Sequence, residues 1–202
     1  MTSPIPVNLA TEDELSEVTL YRILSLINGY AVGTLYRRGG FGYLRRTVVG
    51  WNQAAKSIPF IVLTDLDAYE CPAELIGDWL RVLKHQNLVF RVAVREVESW
   101  ILADTINFSK FLGVRTTLIP TDPDSLLDPK AKLVEIAKKS RSKWIRDSIV
   151  PAKGNTAKQG PDYNGCLCTF VREQWDLDAT KVNSPSLART VERLSTFVPQ
   201  WS

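Results

Sequence analysis

Apolar residues along the first half of the chain recur with two periods in turn, and each change of period marks a change of element. Pro4 to Ala10 predicts a short opening strand, and Thr11-Glu12-Asp13-Glu14 a helix start with acidic residues in its first turn. Leu15, Val18, Leu20, Ile23, Leu24 and Ile27 then follow helical spacing until Asn28-Gly29 stops it. Tyr30 to Tyr36 alternates as a strand does, Arg37-Arg38-Gly39-Gly40 makes a basic turn, and residues 43–56 return to helical spacing. The run Ile58-Pro59-Phe60-Ile61-Val62-Leu63-Thr64 is apolar without interruption, as in a central strand buried on both faces, and it ends at Asp65-Leu66-Asp67. Residues 72–84 predict a helix opened by Pro72, with Leu75, Ile76, Trp79, Leu80 and Leu83 on one side. Leu88 to Val94 is a further strand, running through Arg95-Glu96-Val97-Glu98-Ser99-Trp100 into a short helix that ends near Asp104.

Strands alternating with helices predict an α/β fold: a mostly parallel sheet flanked by helices. Beyond residue 105 the strand pattern disappears. Segments around 107–113, 129–139, 141–148, 160–175 and 186–197 are helical or loop-like, punctuated by Pro120, Pro123, Pro129, Pro151, Pro161 and Pro185. The expected organisation is an α/β core over residues 1–105 and a mainly helical C-terminal extension over 106–202, packed together as one compact unit.

Composition narrows the chemistry. With 202 residues, 45% of them hydrophobic and 23% charged, the chain can bury a full core. A net charge of +3 is too small to announce a nucleic-acid binder, so local clustering must decide. Three cysteines, Cys71, Cys166 and Cys168, are too few for a disulfide framework and lack zinc-site spacing; all three read as packing residues in a reducing compartment. No apolar run approaches the roughly 20 residues that span a bilayer, and the N-terminus lacks a signal-peptide layout, so a cytoplasmic location away from membranes is expected. His85 is the only histidine, and nothing near it supports a triad or a histidine-based metal site. Carboxylates and lysines are left to carry any chemistry.

The acids are placed suggestively. Ligands of open parallel sheets sit beyond the carboxyl ends of the strands. Glu12, Asp13 and Glu14 follow the first strand, Asp65 and Asp67 the third, and Glu96 and Glu98 the fourth. Residues two apart at a strand end project to one face, so Asp65 with Asp67, and Glu96 with Glu98, could each form a paired oxygen site suited to Mg²⁺ or Mn²⁺. The plainer alternatives are dipole complementation by the first group, turn formation by the second and a charge ladder with Arg91 and Arg95 for the third.

Acid after the first strand, Asp-x-Asp after a buried strand and the surrounding β/α order resemble the Toprim domain of topoisomerases, bacterial primases and OLD-family nucleases. The segment Val92-Ala93-Val94-Arg95-Glu96-Val97-Glu98-Ser99-Trp100-Ile101-Leu102-Ala103-Asp104 is similar to small Toprim-like proteins often linked to ATPase partners in prokaryotic defence. The resemblance covers roughly residues 5–105. It implies that Glu12 acts as general acid/base, that Asp65 and Asp67 bind metal, and that Glu98 is the later acidic ligand of the OLD-like branch. The chain reads Glu12-Asp13-Glu14-Leu15-Ser16-Glu17 where Glu-Gly is usual in the family, which leaves Asp13 and Glu17 as alternatives for the first acid.

Basic residues supply candidate contacts to nucleic acid. Arg37, Arg38, Arg45 and Arg46 interleave with Tyr36, Phe41 and Tyr43, so that arginines could hold phosphates while aromatics stack on bases; a solvated turn is the plain alternative. Lys138, Lys139, Arg141, Lys143 and Arg146 form a second cluster on predicted helices. Lys153 and Lys158 stand in glycine-flanked loops, and the OLD-like resemblance, which places a lysine near the metals, makes either a candidate for charge stabilisation. The leading expectation is a Mg²⁺- or Mn²⁺-dependent nuclease, or nuclease subunit, acting on DNA or RNA. The alternatives are a non-catalytic Toprim-like module binding nucleic acid or an ATPase partner, and a hydrolase of small phosphorylated molecules.

Overall fold

The computed structural model describes residues 3–27, 29–37 and 39–201. By its contacts the chain divides into two units, residues 1–94 with 189–202, and residues 95–188. The division falls at Val94, where the last strand gives way to helix.

The first unit is an α/β sheet structure. Its elements are β1 (Ile5–Thr11), α1 (Glu14–Ile27), β2 (Tyr30–Tyr36), α2 (Gly40–Ala54), β3 (Phe60–Asp65), α3 (Pro72–Trp79) and β4 (Leu88–Ala93). The four strands are all parallel, in the order β2-β1-β3-β4. Every residue of β3 is buried, as its unbroken apolar run demands, whereas the edge strand β2 is only partly covered. Even-numbered positions of β1, β3 and β4, including Ala10, Phe60, Val62 and Phe90, pack with Leu44, Val48 and Trp51 of α2 and with Leu75 and Trp79 of α3. On the opposite face α1 lies against β1 and β3. There Arg91 of β4 donates from Nε to Thr190 Oγ1 at 3.2 Å, bringing the returning C-terminal segment onto the sheet.

Local details follow the residues that form them. Gly39 starts α2 at φ 76°, and a Cβ there would lie 3.2 Å from Tyr43 Cβ, so a side chain meets both strain and crowding. A register irregularity between Val7 and Leu9 interrupts the β1–β2 ladder, and Asn8 Oδ1 accepts from Thr34 N at 2.8 Å in place of a backbone partner. The helix expected over 72–84 ends at Trp79, because Leu80 leaves helical geometry at φ −110°, ψ 76°. Leu83, expected on the apolar side, is 94% exposed in the loop that results.

The second unit is helical: α4 (Val97–Leu102), α5 (Thr105–Leu112), α6 (Pro129–Ala137), α7 (Lys143–Ile149), α8 (Tyr163–Glu173) and α9 (Leu177–Asn183), followed by α10 (Pro185–Ser195), along which the chain passes back to the first unit. Phe108, Phe111 and Phe170 form an aromatic centre with ring separations of 4.9–6.3 Å, and buried Trp100 donates to Ser186 Oγ at 2.7 Å. Side-chain caps from Asp104, Asp128, Ser142 and Asp176 start α5, α6, α7 and α9. No helix of the described residues is long and apolar enough to cross a membrane.

The cysteines divide. Cys166 and Cys168 are buried in α8, and burial pushes the Cys166 thiol up to about 12, whereas Cys71 is exposed ahead of α3 and is not a packing residue. A thiol reagent should therefore modify one cysteine rapidly in the native protein, with Cys71→Ser abolishing that fast phase; a fast phase surviving the substitution would contradict the burial. In the sheet, Ile61→Ala at the centre of β3 should cost about 2–5 kcal/mol in urea unfolding, the range for emptying a filled aliphatic site.

Candidate active site at the carboxyl edge of the sheet

The strand order reverses direction between β1 and β3: β2 is laid on one side of β1, and β4 on the far side of β3. Such a switch point opens a crevice at the carboxyl ends of the two strands. β1 and β3 are in register through Thr11 and Leu63, so Glu12 emerges beside the Thr64-Asp65 end of β3.

Glu12 turns into that edge and is held there. Its Oε1 accepts from the Asp65 backbone N–H at 2.9 Å and from the Thr64 hydroxyl. Oε2 accepts no hydrogen bond among the described residues. Burial pushes the Glu12 carboxyl up; the two hydrogen bonds partly offset this, and the neighbouring Asp67 and Asp13 carboxylates push it further up. Among the described residues no cation pairs with it, and none is among the main groups that shift it.

The other acids of the first cluster have separate work. Asp13 Oδ1 accepts from Ser16 N at 2.9 Å and caps α1. Glu17 and Glu14 lie 2.8 and 4.0 Å from Arg37, which is thereby tied to α1. Of the alternatives for the first acid, Glu12 alone reaches β3.

Asp65, the last residue of β3, is buried, while Asp67 is exposed. Because the strand stops at Asp65, the two do not share a face by strand alternation. Asp67 reaches its position through a tight turn, closed by Tyr69 N donating to Leu66 O at 3.1 Å, in which it adopts φ 49°. It is the only non-glycine among the described residues with positive φ. Asp tolerates that region better than most residues, and unusual backbone of this kind concentrates at functional sites.

Glu96 and Glu98 belong to the second unit and meet a lysine there. Lys130 Nζ lies 3.4 Å from Glu96 Oε1 and 3.9 Å from Glu98 Oε1, and the Lys130 backbone N–H donates to Glu96 Oε2 at 3.0 Å. Buried Glu98 also accepts from the Tyr163 hydroxyl at 3.1 Å. Burial pushes the Glu96 carboxyl up, Lys130 pulls it back, and Asp128 adds a smaller upward push. Sequence reasoning named Lys153 and Lys158; both are exposed in the loop before α8, and Lys130, which touches the carboxylates, was missed. Asp128-Pro129, a cap followed by proline, marks Lys130 as a first-turn residue of α6 and was the available signal.

The basic turn is arranged differently from expectation. Tyr36 and Tyr43 each pack 5.7 Å from Trp51, and Phe41 meets Trp79 edge-on at 4.7 Å, so these rings serve the core rather than offer faces to bases. Arg45 pairs with Asp78 at 2.8 Å, as does Arg81. Arg45, Arg46 and Arg81 line a concavity of about 490 Å³ with Phe41, Val49 and Trp79. Arg38 lies outside the described residues.

A cationic group that sequence reasoning did not find stands where β4 meets α10. Lys84 is held below the ordinary lysine value by burial and then by Arg193 and Arg91. Arg91 is depressed by burial and by Arg189 and Arg193. Arg189 and Arg193 lie one helical turn apart, the one local clue to a cluster whose members span more than half the chain.

Among the described residues no three His, Cys, Asp or Glu side chains gather closely enough to enclose a metal ion by themselves. Mg²⁺ commonly keeps several waters and takes only one or two carboxylates, the rest of its shell coming from substrate phosphates, so the hard oxygens of Asp65 and Asp67 are of the chemical type that ion takes. No family model, curated protein or solved structure matches this chain.

The raised Glu12 value has a measurable sign. A carboxyl whose folded value lies above its ordinary 4.5 binds more protons in the folded than in the unfolded state between the two values, so stability falls as pH rises through that window. Glu12→Gln, which keeps an oxygen acceptor for Thr64 and Asp65, should remove this dependence and raise Tm at neutral pH in EDTA. A Tm lowered by the substitution would mean that the ionised carboxylate stabilises the fold.

Proposed function

We propose that the chain is a Toprim-like, Mg²⁺- or Mn²⁺-dependent nuclease, or the nuclease subunit of a partner-dependent assembly, with its reacting centre at the β1/β3 edge. The observation that carries this reading is Glu12: a half-buried carboxylate, pushed toward the protonated form by burial, crowded by Asp67 and Asp13, and paired with no cation among the described residues. Such a site favours either a proton or an added cation, and phosphodiester hydrolysis uses both.

In this reading Asp65 and Asp67 hold the ion, which would polarise the phosphate and make water acidic enough to attack at neutral pH. Glu12 acts through Oε2. Its Oε1 is occupied by Thr64 and Asp65, which fixes the carboxyl orientation and leaves the second oxygen to take a proton from water or return one to the leaving oxygen. A carboxyl value raised by burial brings proton transfer closer to neutral pH than an exposed glutamate allows. The Lys84–Arg91–Arg189–Arg193 cluster, in the same unit, supplies cationic surface for a polyanionic substrate.

The test is cleavage of supercoiled plasmid, single-stranded DNA and RNA with Mg²⁺, Mn²⁺ or EDTA. Wild type should cut only with metal; Glu12→Gln and Asp65→Asn should each lower the rate about 10²–10⁴-fold while remaining folded. Metal-independent cutting, or cutting unchanged in Asp65→Asn, would overturn the assignment. Nucleic-acid binding without cutting by any variant would instead support the non-catalytic module.

A further inference from the structure

The second unit carries a cavity of about 610 Å³, lined by residues from the end of α5, the loop after it, and the connection between α6 and α7. Four cations line it, Lys110, Arg115, Lys139 and Arg141, with Val114 and Leu118 as apolar walls and no acidic residue in the lining. Of these Lys139 pairs with Glu135, and elsewhere on this unit Lys132 pairs with Glu135, Lys143 with Asp147, and Lys181 with Asp178. The side chains of Lys110, Arg115 and Arg141 form no ion pair or hydrogen bond among the described residues.

Local structure holds these residues in place. Gly113 ends α5 at φ 64°, its carbonyl accepts from Arg141 N at 3.4 Å, and Ser140 Oγ donates to the Leu112 carbonyl, so the Arg141 backbone is fastened to the end of α5. Arg115 precedes a 3₁₀ turn whose Leu118 N–H returns to the Arg115 carbonyl at 3.0 Å. Three cations are thereby drawn from separate elements to one concavity, at the repulsive cost of like charges. Three residues beyond Arg141, Trp144 is 50% exposed, its ring braced edge-on at 6.1 Å by Phe111.

We propose that this cavity binds the phosphates of a single-stranded nucleic acid, with Lys110, Arg115 and Arg141 on the backbone and Trp144 offering a face to an adjacent base. The inference rests on the nucleic-acid part of the reading above and not on its carboxylate chemistry. Unpaired cations recognise phosphate, a concavity of this size accommodates a nucleotide or two of flexible strand more readily than a convex duplex, and an exposed indole stacks on bases without regard to sequence. The same phosphate chemistry is shared by a free nucleotide, and competition separates the two.

The experiment is fluorescence anisotropy of the full-length protein with a labelled single-stranded oligonucleotide in EDTA, over a salt series. Arg115→Glu and Arg141→Glu are compared with Lys143→Glu, a reversal at an exposed α7 lysine outside the cavity, and circular dichroism confirms that each variant is folded. Wild type should bind, each cavity reversal should weaken binding about tenfold or more and lower the salt slope by about 0.7, and Lys143→Glu should do neither. Trp144→Ala should weaken single-strand binding while leaving the salt slope intact. Equal weakening by Lys143→Glu, duplex bound as tightly as single strand, or a mononucleotide competing as effectively as the oligonucleotide would each overturn the proposal. Metal-dependent cleavage persisting with unweakened binding in the cavity variants would sink this inference alone; binding lost as expected, in a protein that never cuts, would sink only the nuclease.

Discussion

The complete burial of β3 between β1 and β4 is the constraint on which the rest of the first unit depends. A strand with no solvent face needs hydrogen-bonding neighbours on both edges and helices over both surfaces. Parallel neighbours place every strand's carboxyl end on one rim, and the helices return the chain to the opposite rim. Polar residues that follow the strands therefore collect at that single edge, where the core strands come out of the core. Glu12, Thr64, Asp65 and Asp67 are the residues found there in the first unit.

The two carboxylate groups of this protein are treated in opposite ways. Glu96 and Glu98 receive a counter-ion from within the chain, Lys130, and Glu98 has a further donor in Tyr163. That arrangement is a partly buried ion network in which removing one partner would be costly. Glu12 is given two hydrogen bonds but, among the described residues, no cation, and its acidic neighbours raise the cost of ionising it. That arrangement costs the fold stability wherever the carboxyl is ionised, which a satisfied ion pair would not.

The basic residues divide along similar lines. Arg37, Arg45 and Arg81 are engaged with Glu17, Asp78 and their neighbours, and hold the surface of the sheet unit together. The cations around Arg91 lower one another's affinity for a proton, and in the second unit's cavity Lys139 is paired with Glu135 while Lys110, Arg115 and Arg141 have no ion pair among the described residues. Like charges kept together in partly enclosed places cost stability through their mutual repulsion.

Much of this architecture was legible in the residues because local periodicity carries it. The apolar run before Asp65, the alternation of Tyr30–Tyr36, the prolines opening α3 and α6, and the helical segments after residue 105 all name their elements without reference to anything distant. So did the order of acids along the chain, since each follows a strand. The end of α3 was not legible, because Leu80 and Leu83 continue a helical pattern that the backbone abandons; nor was the exposure of Cys71, which composition alone assigns to a core. Which acid of Glu12, Asp13, Glu14 and Glu17 turns toward β3, the pairing of Lys130 with Glu96 and Glu98, and the meeting of Arg91 with Arg189 and Arg193 were decided only by tertiary structure. Each depends on contacts between residues far apart in the chain, set by strand register and helix docking, and no spacing within the sequence encodes a distance across a sheet.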